Sequence, residues 1–245
     1  MTLTVGSLFS GIGGLDLGLE RAGMEVIWQS EIDPFASKVL KKHWPKVNNY
    51  GDITKINWDT IPKPDVICGG YPCQPFSLAG HRNGTNDPRH LWPYVKDAIS
   101  RLRPRYAIME NVRGHLSLGG LSVIGDLASI GYDAEWRVVS AAAVGASHLR
   151  HRLFIVAYPT NINVETPKVL WDATQSPRQP RRKTWADVSR TQWEVHQPSM
   201  VGVADDVSDR VDRVKAIGNA VVPQVAEVIG HLVMNHAGLH ETKNL

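Results

Sequence analysis

The sequence contains little cysteine and no long apolar run. These two features argue against a disulfide-rich protein and against a membrane-spanning one. Only two of its 245 residues are cysteines, too few for a disulfide framework, which indicates a reducing compartment such as the cytoplasm. No uninterrupted apolar stretch approaches the length needed to span a bilayer. Residues 1–14 lack a charged segment followed by an apolar one, so no signal peptide is predicted. We therefore expect a cytoplasmic protein without a membrane partner.

A strong excess of positive or negative charge is also missing. The chain has 27 Lys and Arg against 24 Asp and Glu, which gives a net charge of +3. This mild basic excess is compatible with nucleic-acid binding but does not establish it. The chain is 42% hydrophobic, which is ordinary for a globular protein, and its length fits one large domain with a small insertion.

Short apolar strands alternate with helical segments through the first part of the chain. This alternation predicts an α/β fold with a doubly wound, mostly parallel sheet. Proline, tryptophan and arginine then accumulate without periodicity, which predicts an insertion at 158–209 within a main domain of residues 1–157 and 210–245. Strands are predicted at 3–9, 25–28, 51–54, 65–68, 106–109, 136–139 and 153–157, and helices at 15–22, 35–40, 91–102, 121–130 and, near the end, within 211–234.

Polar groups follow several of these predicted strands directly. Glu31, the loop around Cys73, and Glu110 each lie just past a predicted strand end, and Asp52 lies in the segment that closes the third strand. Ligands of open α/β sheets bind outside the carboxyl ends of the strands, and parallel strands share that edge. We therefore expect these groups to lie on one rim of the sheet.

A glycine turn follows the first predicted strand. Gly11, Gly13 and Gly14 resemble a nucleotide-binding turn, but Asp16 stands where the last glycine of G-x-G-x-x-G belongs, and no P-loop lysine follows. Such a turn lets a ligand approach the backbone without cradling a pyrophosphate. Glu31 has the spacing of a carboxylate that binds ribose hydroxyls. The pattern suits a nucleoside ligand such as S-adenosylmethionine, although the turn alone fits a tight turn beside a solvated glutamate equally well.

One cysteine lies in a constrained loop. Cys73 stands between Pro72 and Pro75, which restrict the backbone and could aim the sulfur. A catalytic cysteine reacts as a thiolate in a partly exposed setting. Cys68 lies inside an apolar run, as buried structural cysteines do. The two lack C-x-x-C spacing and neighbouring ligands, so no metal site is predicted.

A carboxylate and two arginines complete the candidate chemistry. Glu110 follows an apolar strand, where partial burial would raise its pKa and let it donate a proton. An isolated glutamate there would more simply cap the next helix. Arg150 and Arg152 share one face of a strand because they are two residues apart. They form either a solvated strand end or, near a thiolate and a carboxylate, an anion clamp.

Together these segments resemble the DNA cytosine-5 methyltransferase family, and they occur in the family's order. The resemblance covers about residues 3–157 and 210–234 and implies the Rossmann-like fold of S-adenosylmethionine-dependent methyltransferases. It implies Cys73, Glu110, Arg152 and Arg150 as catalytic residues. It assigns the S-adenosylmethionine contacts to Phe9, Ser10, Gly11, Ile12, Gly13, Gly14, Glu31, Asp52, Ile53, Pro72, Asn219 and Ala220.

The resemblance also implies a mechanism. The cytosine is flipped out of the duplex, and the thiolate of Cys73 adds to its C6 while Glu110 contacts N3. C5 then takes the methyl group, S-adenosylhomocysteine is left as product, and loss of the C5 proton releases Cys73. Arg152 would hold the base edge or backbone, and Arg150 the loop and phosphates.

The chain departs from the family in two places. His148 stands where the family has glutamine in the arginine motif, and the insertion is short, with no recognisable ninth motif. Its basic cluster predicts phosphate contacts, although a basic loop over a small apolar core is an equal alternative. Specificity could be loose, limited to a short site or supplied by a partner. The resemblance and this cluster together assign DNA contacts to Gln74, Ser77, Arg178, Arg181, Arg182 and Lys183.

These features favour a compact bacterial or phage-encoded enzyme that acts on double-stranded DNA. One alternative is an RNA cytosine-5 methyltransferase acting on tRNA, which the Pro-Cys-Gln-Pro-Phe-Ser segment at 72–77 disfavours. Another is a non-catalytic DNA-binding homologue, against which the intact Cys73, Glu110 and Arg152 argue. An amino-group methyltransferase would need an Asp/Asn-Pro-Pro-aromatic motif, and residues 71–74 read Tyr-Pro-Cys-Gln instead.

Overall fold

A seven-stranded sheet forms the centre of the molecule. The computed structural model describes residues 2–72, 91–117, 119–146, 148–160 and 216–239. The strands are β1 (Thr4–Leu8), β2 (Glu25–Ser30), β3 (Asn48–Asn49), β4 (Val66–Gly69), β5 (Tyr106–Val112), β6 (Tyr132–Ser140) and β7 (His151–Pro159). Their order is β3-β2-β1-β4-β5-β7-β6. The first five run parallel, and β7 lies antiparallel between β5 and β6.

Helices cover both faces of the sheet. They are α1 (Gly14–Arg21), α2 (Pro34–His43), α3 (Trp92–Leu102), α4 (Gly120–Ser129) and α5 (Pro223–His236). Residues of α1 and α5 form one apolar cluster with one face of the strands, and residues of α3 and α4 form a second cluster with the opposite face. The predicted doubly wound, mostly parallel α/β sheet is therefore confirmed.

The central strands are apolar on both sides, as expected for a sheet covered by helices on both faces. In β5, Ile108 belongs to the α1–α5 cluster, whereas Ala107 and Met109 belong to the α3–α4 cluster. This alternation follows from the period of two along a strand. It explains why the sequence marks these strands as short continuous apolar runs.

The third predicted strand, at 51–54, is wrong. The strand beside β2 is Asn48–Asn49, and Ile53–Lys55 is a turn of 3-10 helix. The carboxylate of Asp52 accepts a hydrogen bond from the Thr54 backbone N–H at 3.0 Å, and such a cap competes with strand pairing. Ile53 is buried as a single apolar residue within the α3–α4 cluster.

The fifth strand extends further than the sequence predicts. Glu110 and Asn111 lie inside β5, not beyond it, because antiparallel pairing with β7 continues through Glu110↔Phe154 and Asn111↔Leu153. The helix-capping alternative for Glu110 therefore does not apply. The polar groups near the end of β5 stand on a paired strand and not on a loop.

The last described segment folds back against the first helix. A Cβ at Gly14 would lie 2.4 Å from the Val221 carbonyl oxygen, and a Cβ at Gly18 would lie 2.4 Å from both the Pro223 oxygen and the Ala226 Cβ. Only glycine permits this approach. Residues 216–222 are thereby held beside the glycine turn after β1.

One stretch, Ala216–His236, is long and apolar enough by length and composition to cross a membrane. The structure accounts for that composition differently, because Val225, Ile229 and Val233 of α5 are buried in the cluster shared with α1. A core helix has the same apolar character. The predicted insertion falls largely outside the described residues, so the domain boundaries stay a prediction.

Candidate active site

A cavity of about 310 Å³ opens at the carboxyl ends of the parallel strands. Four segments build it: the glycine turn after β1, the loop after β2 into α2, the ends of β4 and β5, and the segment before α5. Of the four groups predicted to share one rim, Glu31 and Glu110 line this cavity, Asp52 does not, and Cys73 lies outside the described residues. The cavity is lined by Phe9, Ser10, Gly11, Ile12, Gly14, Leu15, Glu31, Asp33, Ala36, Gly70, Glu110, Ala216, Asn219, Ala220 and Val221.

The glycine turn has a left-handed backbone. Gly11 and Gly13 have φ values of 55° and 84°, and Phe9, which is not a glycine, has φ of 50°. A left-handed conformation costs a non-glycine residue roughly 1–2 kcal/mol. A Cβ at Gly13 would also lie 2.4 Å from the Trp44 ring. The turn is therefore tightly constrained, and Phe9 carries its strain at the cavity wall.

The carboxylate of Glu31 is fixed by two backbone N–H groups. Its Oε2 accepts from the Gly11 N–H and its Oε1 accepts from the Asp33 N–H, each at 2.7 Å. Each carboxylate oxygen has two lone pairs, so one on each oxygen remains for a ligand. The arrangement presents a rigid acceptor of the kind that two neighbouring hydroxyl groups would meet.

Glu110 is buried and paired with an arginine. Its Oε1 lies 2.8 Å from Nε of Arg152, and its Oε2 lies so near Gly70 that a Cβ there would be 2.9 Å from it. Burial raises the pKa of Glu110, whereas the charges of Arg152 and Arg150 lower it. The net direction is upward, so this carboxyl group keeps a proton to higher pH than an exposed glutamate does.

Arg150 holds the part of the cavity wall that the segment before α5 forms. Its Nη2 donates to the Ala220 carbonyl oxygen at 2.7 Å, which ties the loop before β7 to the segment before α5. Burial lowers the pKa of Arg150, and the neighbouring charge of Arg152 lowers it further. The guanidinium groups of the two arginines therefore serve different parts of one site: Arg152 contacts Glu110 and Arg150 contacts the wall.

This site can be compared with known proteins. The family described as C-5 cytosine-specific DNA methylase matches residues 3–202. The chain belongs to this family. The Type II methyltransferase M.FnuDI of Fusobacterium nucleatum is 35% identical over 164 residues, which cover 64% of this chain and 47% of that relative. The chain spans between 37% and 50% of the length of such curated relatives.

Solved structures agree with this fold. A mutant DNMT2 of Spodoptera frugiperda superposes with a TM-score of 0.58 at 25% identity, covering 69% of this chain and 53% of that chain. The Dnmt2 methyltransferase of S. pombe superposes with a TM-score of 0.60 over 99% of this chain and 100% of that chain. Its identity is 15%, so this second likeness concerns the fold alone.

Not all the residues assigned from the sequence reach the cavity. Asp52 caps its 3-10 helix, Ile53 is buried among apolar side chains, and neither lines the cavity. Pro72 lines a smaller neighbouring cavity with Tyr71, Trp92 and His115. Gly13 belongs to the glycine turn but does not line the cavity either. Seven further predicted residues lie outside the described part of the chain, and these are Cys73, Gln74, Ser77, Arg178, Arg181, Arg182 and Lys183.

The described residues that flank the predicted nucleophile are firmly held. Asn111 Nδ2 donates to the Tyr71 carbonyl oxygen at 3.2 Å, and the Tyr71 hydroxyl lies 2.9 Å from His115 Nε2. The Tyr71 ring packs against Trp92 with centroids 5.1 Å apart. Sequence reasoning missed this cluster. Its signal was a tyrosine directly before Pro-Cys and a tryptophan at the start of the next helix.

The cavity fits a nucleoside cofactor that carries no phosphate. Among the described residues that line it there are three carboxylates, Glu31, Asp33 and Glu110, and no lysine or arginine. Phe9, Leu15 and other apolar side chains provide surface for a flat base. The described residues also contain no group of three side chains suited to hold a metal ion. Such a lining suits a ligand with positive charge better than one with a pyrophosphate.

Proposed function

We propose that this chain transfers a methyl group from S-adenosylmethionine to C5 of cytosine in double-stranded DNA. The observation that carries the proposal is the 2.8 Å pair of Glu110 and Arg152 on the wall of the cavity that also holds Glu31 on Gly11. A proton donor for a base and an acceptor for ribose hydroxyls thus share one cavity. Membership in the C-5 cytosine methylase family supports the same reaction.

When bound, S-adenosylmethionine supplies a methyl group on a positively charged sulfur. Glu31, fixed by Gly11 and Asp33, would accept hydrogen bonds from the ribose hydroxyls. Asn219 and Ala220 form the opposite wall, and Arg150 keeps that wall in place through the Ala220 carbonyl. The strained turn at Phe9 brings backbone groups close to the ligand, as functional sites often do.

The chemistry at the base would belong to Cys73, Glu110 and Arg152. The cytosine is flipped out of the stack because its target atom is inaccessible inside a duplex. The thiolate of Cys73 bonds to C6, and Glu110 donates its proton to N3, which turns C5 into an enamine-like carbon. After C5 is methylated, water or another base takes the C5 proton, the thiolate of Cys73 is expelled, and the N3 proton returns to Glu110, which restores both the ring and the enzyme. Arg152 keeps the Glu110 carboxyl oriented toward the base.

Duplex DNA is the proposed substrate and partner, and the cytoplasm the proposed compartment. The relatives are named Type II methyltransferases, which supports DNA modification of the restriction-modification kind. Contacts to phosphates would come from the basic residues of the insertion, while Gln74 and Ser77 would contact DNA beside the nucleophile. An additional specificity partner is compatible with the short insertion.

Covalent trapping tests the proposal. The chain is incubated with S-adenosylmethionine and duplex DNA that contains 5-fluorocytosine, which blocks the final elimination. We expect a denaturation-resistant adduct at Cys73, lost in Cys73→Ala and retained in Cys68→Ala, because Cys68 is buried in the sheet and burial raises the pKa of its thiol.

The same experiment separates the alternatives. An adduct formed only with a tRNA substrate carrying 5-fluorocytosine would replace the DNA proposal with an RNA one. Absence of any adduct, in protein that calorimetry shows to bind S-adenosylmethionine, would indicate a non-catalytic homologue. An adduct on a residue other than Cys73 would overturn the assignment of the nucleophile.

A further inference from the structure

A buried carboxylate lies behind the glycine turn, and the proposed reaction leaves it without a role. Asp16, in the first turn of α1, is fully buried. Its Oδ2 accepts from the Ser7 hydroxyl at 3.0 Å and its Oδ1 accepts from Gln29 Nε2 at 2.8 Å. The Ser10 hydroxyl in turn lies 2.9 Å from the Ser7 hydroxyl. Since Ser10 lines the cavity, hydrogen bonds connect Asp16 to the cavity wall.

The direction of these hydrogen bonds follows from the carboxylate. An ionised carboxylate can only accept, so the Ser7 hydroxyl donates its proton to Asp16. The Ser7 oxygen then accepts from Ser10, whose second acceptor within reach is the Ser7 carbonyl oxygen at 3.1 Å. The Ser10 proton is therefore used inside the protein. Toward a ligand, Ser10 can act only as an acceptor, and the chain of hydrogen bonds extends the negative polarity of Asp16 to the cavity.

Burying the negative charge of Asp16 reduces the stability of the fold, because the side chains that donate hydrogen bonds to it carry no positive charge. Both side-chain donors to Asp16 are neutral, and burial is the main reason that the pKa of Asp16 rises to about 6. The described cavity lining adds further carboxylates and no lysine or arginine. A buried charge that neutral hydrogen bonds only partly compensate reduces stability. An asparagine of the same shape would fill the position without that cost.

We propose that Asp16 is a positioning residue whose negative charge makes the cavity prefer a positively charged ligand. It acts through Ser7 and Ser10 and not by direct contact. The inference rests on the proposed function. In that reaction S-adenosylmethionine binds with a positively charged sulfur, and the product S-adenosylhomocysteine leaves with a neutral one. Asp16 would therefore favour the substrate over its own product and ease release of the product after each methyl transfer.

Calorimetry with three ligands tests this charge preference. S-adenosylmethionine and sinefungin both carry a positive charge at the position where S-adenosylhomocysteine is neutral. In Asp16→Asn we expect both cations to lose roughly three- to tenfold in affinity relative to S-adenosylhomocysteine, as removal of one nearby charge in a protein predicts. A residue that only tied α1 to the sheet would change all three affinities together and leave their ratios unchanged.

Glu20→Gln is the matched control. Glu20 lies one turn further along α1 and accepts from Trp44 Nε1 at 2.8 Å, and it does not line the cavity. Its substitution removes one negative charge from the same helix without interrupting the hydrogen-bond chain. We expect unchanged affinity ratios in this variant. A shift as large as that of Asp16→Asn would contradict the proposal, because the preference would then belong to the general charge of the helix.

The unmodified site offers a second test if Asp16→Asn does not fold. Protonation of Asp16 below about pH 6 should reduce the preference for the cations over S-adenosylhomocysteine between pH 8 and pH 5. Gln29 from β2, Ser7 from β1, Cys68 from β4 and Glu20 from α1 are the groups that act on Asp16. Burial keeps the Cys68 thiol protonated across this range. Measuring in Glu110→Gln removes the buried carboxyl group that itself lines the cavity.

The outcomes distinguish a failure of the proposed function from a failure of the proposed role of Asp16. If the wild-type chain binds none of the three ligands, the proposed function fails and this inference with it. If it binds all three but shows no preference for the cations, or a preference that neither pH nor Asp16→Asn changes, the cofactor assignment stands and the role of Asp16 is overturned. A preference that weakens in Asp16→Asn, or with falling pH where that variant does not fold, supports it.

Discussion

At the scale of single residues, the site depends on two buried carboxylates with opposite surroundings. Glu110 has an arginine partner at 2.8 Å, whereas the side chains that donate to Asp16 are neutral. Burial raises the pKa of both groups. Glu110 is positioned to exchange a proton with a base, while Asp16 is sealed from solvent and serves through its charge.

Replacing Glu110 with glutamine should separate catalysis from cofactor binding. Glutamine keeps the size of the side chain but cannot protonate N3, so we expect methyl transfer to fall on the order of 10²-fold or more. Cofactor affinity, measured by calorimetry, should change only a few-fold. A variant that retained the wild-type rate would remove Glu110 from the proposed mechanism.

The pH dependence of unfolding should report on Asp16. The pKa of Asp16 is raised from 3.8 to about 6 in the folded chain, so its protonated form favours folding. That stabilisation is complete below about pH 4 and is lost as the pH rises through 6. Urea unfolding should therefore show Asp16→Asn gaining up to about 3 kcal/mol over the wild type between pH 4 and pH 8. A constant difference across this range would mean that Asp16 does not titrate in the folded state.

At the scale of elements, the sequence predicts the strands well and the ends of the strands poorly. Apolar runs mark β4, β5 and β7 because both faces of these strands are buried. The extension of β5 through Glu110 depends on pairing with β7, which is distant in sequence, and no local pattern signals it. Asp52 misled the prediction because its side chain caps a short helix where a strand was expected.

Two glycines offer a matched test of the contact between α1 and α5. A Cβ at Gly18 would lie 2.4 Å from the Pro223 oxygen, so Gly18→Ala should cost about 1–3 kcal/mol of unfolding free energy. Because α5 carries the cavity wall with it, cofactor affinity should also fall. Gly125 of α4 has nothing within 4 Å of its Cβ position, and Gly125→Ala should stabilise by roughly 0.5–1 kcal/mol. Equal effects in denaturant unfolding would contradict this packing.

Arg150 provides a test of how the wall before α5 is held. Arg150→Met removes the charged hydrogen bond to the Ala220 carbonyl, and we expect cofactor affinity to fall about tenfold. Arg101→Met is the control, since the ion pairs that Arg101 forms with Asp97 and Asp59 are exposed. That control should bind the cofactor as the wild type does. Unchanged affinity in Arg150→Met would return Arg150 to the sequence-based role at the loop and phosphates.

At the scale of the whole molecule, the sequence predicts which segments come together at the cavity but not the side-chain contacts between them. Glu31, Glu110 and Asn219 all reach the cavity, as the resemblance implies. The contact of Arg150 with Ala220 joins residues that are 70 positions apart. The chain from Asp16 to Ser10 joins side chains of β1, the glycine turn and α1. Spacing along the sequence does not reveal such contacts, because they depend on side-chain direction within the folded sheet.

The basic cluster in the insertion should govern DNA affinity independently of the cofactor. Replacing Arg178, Arg181 and Arg182 with glutamine should weaken duplex binding and flatten its salt dependence, with the logarithmic slope falling by up to about 0.9 for each phosphate that the variant no longer neutralises. S-adenosylmethionine affinity should not change. Fluorescence anisotropy over a salt series measures the slope, and an unaltered slope would mean that these arginines bind no phosphates.

The return of the chain against α1 also sets the order of events during synthesis. The cavity wall contains residues 9–15 and residues 216–221, and α5 packs on the helix that follows the glycine turn. A growing polypeptide therefore cannot complete the cavity until residues 216–221 have been synthesised, which is after the strands of the sheet. A translation product that ended before residue 216 would carry the seven described strands of the sheet without this wall of the cavity.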